Sequence, residues 1–172
     1  MMGIREKLST QKVVSGGIAA LLLAISALLL ISQFHTPRRA KLSEAYYSDD
    51  DGQTWFADSA FQVPPFDHNG KTAVIAEVYT YDNGSKQFCA YLAKYTDGSR
   101  QRLAAAFADA QAQGRSPGDV PLLHDPNFIN SGMLVKLPGA NNPWIPLSDA
   151  RSIDVCTVHS PDGSAIDQLF VY

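Results

Sequence analysis

The run Val13–Ser32 (VVSGGIAALLLAISALLLIS) constrains this chain more than any other segment, because about 20 consecutive residues carry no charge. At roughly 1.5 Å of rise per residue, such a helix crosses a ~30 Å hydrocarbon core. A backbone in oil must satisfy its own hydrogen bonds, and one long helix does so. The sequence therefore divides into a leader over 1–12, a transmembrane helix over 13–32, a basic linker over 33–43 and a globular domain over 44–172. The run is longer than a signal-peptide core, and QFHTPRRAKL after it offers no small-residue cleavage site. An uncleaved signal-anchor is the expectation. Three Lys or Arg flank the span on each side, so charge alone does not orient it. A short basic leader ordinarily stays in the cytoplasm, which would make the domain extracytoplasmic: periplasmic or extracellular, on a single-pass anchor to the lipid bilayer.

The net charge of −3 is unevenly spread. The first 32 residues hold Arg5, Lys7 and Lys12 against Glu6, leaving −5 for the rest; past the basic linker the balance from Ala45 onward is −7. A surface this acidic repels phosphates, so nucleic acid is not an expected partner.

Beyond the linker the pattern is mostly β. AYYS, the cluster DDDG and QTWFA read as a hairpin. Pro64, Pro65, Asp67, Asn69 and Gly70 read as a loop without regular structure. TAVIAEVYTY and KQFCAYLAKY flank DNGS, whose Asn83-Gly84 pair suits the positive φ angles of a tight turn. Leu103, Ala106, Phe107 and Ala110 recur at helical spacing over Ser99–Gln113, with Ser99 or Asp97 as cap and Gly114 as stop. Arg115–Ile129, with three prolines, reads as a long loop. GMLVKL, PWIPL, RSIDVCTVH and AIDQLFVY then read as short strands. The expected fold is α+β: an antiparallel, meander-rich sheet with one packed helix behind an N-terminal transmembrane helix.

Candidate chemistry is sparse. Ser48, Asp50, Gly52, Thr54 and Trp55 fit S-x-D-x-G-x-T-W, the Asp box of sialidases and other β-propellers. The residue types suit a turn device: a carboxylate accepting backbone hydrogens, a glycine for positive φ, a tryptophan packed beneath. One copy makes no propeller, so these five residues are expected to serve folding. An EF-hand counted from Asp49 fails, since its twelfth position is Ala60. Gly70-Lys71-Thr72 resembles a P-loop tail, but Pro65 stands where the first glycine belongs. The S-x-x-K of Ser9–Lys12 precedes the apolar run and lacks companion motifs. His35, His68, His124 and His159 form no pair at metal-ligand spacing, and beyond Glu44 at the domain's start Glu77 is the one glutamate. No catalytic, cofactor-binding or metal-binding residue is expected, and no cofactor. Cys89 and Cys156, the only cysteines, leave two readings open: a disulfide linking neighbouring strands, or two free thiols packed as small hydrophobes.

YYSDDDGQTWFAD, VPPFDHNGKTAVIAEVYTY and the later PGANNPWIPL together resemble a group of uncharacterised, singly anchored proteins of planctomycete-type bacteria. That resemblance spans roughly Ala45 to Val158 and implies only an N-terminal anchor with an outward domain. Two function classes follow. One is a non-enzymatic binding or structural component of the cell envelope, with another envelope protein or a surface polymer as partner. The other is a small hydrolase or carbohydrate-active domain.

Overall fold

The computed structural model describes residues 43–169. The expected leader, membrane span and nearly all of the linker lie outside them. Among the described residues no helix is long and apolar enough to cross a membrane. The fold is α+β.

Among the described residues eight strands form the sheet: β1 (Glu44–Ser48), β2 (Phe56–Ser59), β3 (Phe66–His68), β4 (Lys71–Tyr81), β5 (Lys86–Tyr95), β6 (Met133–Lys136), β7 (Ile145–Pro146) and β8 (Asp167–Gln168). Their main order is β2-β1-β4-β5-β6-β7, every pairing antiparallel, with β3 and β8 also paired to β4. The β4–β5 hairpin closes through Asp82, Asn83 and Gly84, all at positive φ, where Asn and Gly are tolerated. β3 runs through the segment expected to be irregular. Asn69 and Gly70, both at positive φ, turn it back onto β4, so these breakers build a second hairpin.

β4 reads KTAVIAEVYTY, and its alternation sorts the sheet's two faces. Val74, Ala76 and Val78 gather on one face with Leu92. Ile75, Ala93, Val135 and Tyr95 belong to clusters on the other. Among the described residues, all three α-helices pack on this second face. Helix α1 (Asp97–Ala112) buries Ser99, Leu103, Phe107 and Ala110, one stripe at helical spacing, against Tyr95, Val120 and Phe128. Its N-cap is Thr96 rather than Asp97 or Ser99. Asp97 instead sits in the first turn, where a negative charge complements the helix dipole, and Ser99 is buried against Gly132.

Two other expectations need correction. The stretch read as a proline-rich loop holds two 3-10 turns (Pro117–Asp119, Pro121–His124) and the start of helix α2 (Pro126–Gly132). Pro126 fits the first turn of α2, where no amide donor is needed, and Asp125 caps it by accepting from Asn127 N at 2.9 Å. RSIDVCTVH is not a strand: Ser152–Cys156 form helix α3. In a strand Ile153 and Val155 would share a face. Here Val155 is buried together with Ser152, three residues before it, while Ile153 is 67% exposed. Asp149 starts this helix by accepting from Arg151 N and receiving its guanidinium at 2.7 Å, and Ser152 Oγ donates to Leu147 O at 2.7 Å.

Candidate functional site

The polar geometry concentrates at the turn between β1 and β2, where three consecutive aspartates take three different partners. Asp50 serves the turn itself. Its carboxylate accepts from Thr54 N at 2.9 Å, Thr54 Oγ1 at 2.6 Å and Ser48 Oγ at 2.9 Å. Burial works against its charge, yet the Thr54 and Ser48 hydrogen bonds prevail and hold the carboxyl below its ordinary range. Ser48, fully buried, also accepts from Gly52 N at 2.9 Å. Gly52 lies at φ +85°, with Asp51 beside it at φ 62°.

Asp51 reaches across the sheet. Its carboxylate receives Lys136 Nζ from β6, and its carbonyl accepts from Gly139 N at 2.8 Å. The Lys136 side chain is 4% exposed and the Asp51 side chain 43%. A buried ammonium needs a counter-charge and further acceptors. Gly139 O supplies one at 3.3 Å, and the Trp144 ring, 5.2 Å away, offers its electron-rich face. Lys94 Nζ lies over the same ring at 4.3 Å.

Asp49 turns to the β3–β4 hairpin. Its carboxylate pairs with His68 Nδ1 at 2.8 Å and has Lys71 Nζ at 3.7 Å. Asn69 Nδ2 stands 3.2 Å from His68 Nε2, within hydrogen-bonding distance. The imidazole stacks on Phe56 at 3.9 Å and 17°. Both ring nitrogens and one ring face of His68 are thus engaged.

Trp55 is half-buried, packed with Tyr46, Cys89 and Trp144 on the Val74–Leu92 face. It lies less deep than a tryptophan wholly beneath the hairpin would. The five Asp-box residues are brought together, and two of their neighbours carry as much of the geometry as they do. Sequence gave no signal for Lys136, a lysine inside the apolar run MLVKL, nor for His68, 19 positions from Asp49.

Cys89 and Cys156 are both free thiols. Cys89 pairs in register with Val78 and packs with the Val74–Leu92 face. Cys156 ends helix α3 and packs with Tyr91 and Val135 on the other face. The sheet lies between them, and of the two readings the structure has the free thiols. Burial, reinforced by the Glu77 and Asp50 carboxylates, pushes the Cys89 thiol up to about 12. Cys156 is raised as well, by burial and by Glu77.

Glu77 sits on the helix side, paired in register with Tyr91, and accepts from Gln168 Nε2 at 2.6 Å. Burial raises its carboxyl despite that bond.

No family model, curated protein or solved structure matches this chain.

Among the described residues no three metal-ligating side chains converge. The arrangement is chemically suited to holding a surface rigid. Carboxylate, ammonium and imidazole partners each fix one loop to one strand, and together they set Trp144, Trp55, Tyr46 and Lys94 on a common face.

Proposed function

We propose that this chain is a membrane-anchored, extracytoplasmic, non-enzymatic domain that binds an envelope protein or polymer. The observation carrying this reading is the asymmetry of the sheet. One face carries every described α-helix, whereas the other carries Tyr46, Trp55 and Trp144 with the Lys94 ammonium over the Trp144 ring. Flat rings and a flexible cation combine apolar contact with a polar handle, the combination enriched where proteins bind partners. Lys94 gives this otherwise acidic domain a cation on that face. The anchor over 13–32 would hold the domain where an envelope partner is within reach.

The test is affinity capture of the full chain from its own membrane, comparing wild type with Trp144→Ala and Lys94→Glu. Loss of the same captured partner in both variants, with melting temperature retained in Lys94→Glu, supports the reading. Undiminished capture by both contradicts it.

A hydrolase is the second reading, because Asp49 orients His68 as a carboxylate orients a catalytic imidazole. A general base needs a free ring nitrogen within reach of its proton. Here Nε2 is taken by Asn69, and this places the enzyme reading second. His68→Gln abolishing a hydrolytic activity while leaving the melting temperature unchanged would reverse the order.

A further inference from the structure

The pairing of β4 with β5 slips midway along the hairpin. Glu77 faces Tyr91 and Val78 faces Cys89, leaving Ala90 as the extra residue of a β-bulge. Beside the bulge, between β5 and the segment that follows α3, lies a cavity of about 290 Å³. Its apolar wall is Phe88, Leu137 and Val155; its polar rim is Asp154, Thr157 and His159.

We infer that this cavity is a binding site for a small amphipathic amine, an apolar body of one ring or short chain carrying a cationic head. Three features converge on that class. The volume of about 290 Å³ falls just under the ~300–1,000 Å³ of small-molecule sites, which limits the body to a few carbons or one ring. The two large apolar side chains left exposed among the described residues are Leu137 at 46% and Ile153 at 67%. Of these two, Leu137 lines the mouth and awaits apolar cover there. The lining includes a carboxylate and no Lys or Arg, so its charge selects a cation. Among the described residues Asp154 has no ion-pair partner. Thr157 Oγ1 already donates to Ile153 O at 2.6 Å, which leaves its lone pairs to accept from an ammonium. The bulge is what opens the room: an unbroken β5 would carry Ala90 within the ladder.

None of Tyr46, Trp55, Lys94 and Trp144 lines this cavity, so the two proposals stand or fall separately. The experiment uses the full chain in detergent micelles, with phenethylamine as probe and its anionic counterpart phenylpropionate as control, followed by chemical shifts of the Leu137 and Val155 methyls. Saturable phenethylamine shifts at those methyls are expected, with phenylpropionate giving none. Asp154→Asn should weaken phenethylamine about fivefold, the scale of losing one partly exposed charge pair. If Asp154→Asn fails to fold, rising salt on the wild type should weaken the amine in the same sense. Equal binding of both probes overturns the inference, as do shifts that spread over the surface without saturating, or amine affinity indifferent to Asp154 and to salt. N-acetylphenethylamine separates the amine head from the ring: binding as tight as the free amine would also overturn it.

Discussion

The Cys89 sulfur lies directly beneath Gly52: a methyl group on that glycine would stand 3.3 Å from Sγ and 3.0 Å from Cβ of Pro138. The turn between β1 and β2 is therefore seated on β5 and on the loop after β6, and Gly52 is the contact point. Its φ of +85° adds a second reason for glycine. The packing of one turn against two distant segments explains why the motif can act singly here, without the repeated blades of a propeller.

Gly52→Ala should destabilise the domain by more than the ~1–2 kcal/mol cost of a left-handed alanine, since Pro138 must also move. Gly84→Ala is the control. It too has positive φ, but nothing lies within 4 Å of the added methyl. Chemical denaturation of both variants should give the larger loss for Gly52. Equal losses would mean that the seat on Cys89 and Pro138 contributes nothing.

The thiols offer a second check. Purified without reductant and then denatured, the chain should present two reactive thiols to a thiol reagent. In the native state Cys89 should react far more slowly than a free cysteine, because burial keeps it protonated at neutral pH. Zero thiols after denaturation would mean that the cysteines are bridged.

Acidity should act on Asp50 and Glu77 in opposite senses. The Asp50 carboxyl is lowered by folding, so its stabilisation is present above the ordinary carboxylate range and disappears as pH falls through its folded value. Asp50→Asn should accordingly cost about 1–2 kcal/mol at pH 7 and less near pH 3. Glu77 is raised by folding, so its favourable contribution is complete below the ordinary 4.5 and is lost as pH rises through its folded value. Glu77→Gln should raise the melting temperature at pH 7 and leave it nearly unchanged at pH 4. A stabilised Asp50→Asn, or a Glu77→Gln variant destabilised at pH 7, would contradict these assignments.

Much of the architecture is legible in local sequence. Asn83-Gly84 marks the longest hairpin, and Leu103, Phe107 and Ala110 mark the face of helix α1, because turn chemistry and helical period are local properties. RSIDVCTVH misleads for a related reason. Its apolar alternation suits a strand, and the Asp149–Arg151 contact that starts a helix there is a short-range hydrogen-bond pattern invisible to period counting. Pro126 misleads in another way: a residue that breaks helices inside them also begins them. At the candidate site, the motif locates the turn, and Asp50 does what an acid at that position suits. The partners of Asp49 and Asp51 could not be read. His68 and Lys136 meet them only through strand register, and for Lys136 that means a separation of 85 residues.

The pair of Asp51 with Lys136 ties the aspartate-rich turn to β6. A double-mutant cycle on Asp51→Asn and Lys136→Met, read by equilibrium denaturation at pH 7, tests it most directly. Asp51→Asn alone strands a buried ammonium and should cost about 2–3 kcal/mol, somewhat under the ~3–5 of a wholly buried pair because Asp51 is partly exposed. Lys136→Met replaces the cation with an apolar side chain of similar reach, so the double variant should be no less stable than Asp51→Asn and should recover at least about 1 kcal/mol of coupling. Additive losses, with no coupling between the two positions, would show that Asp51 does not hold the turn onto β6.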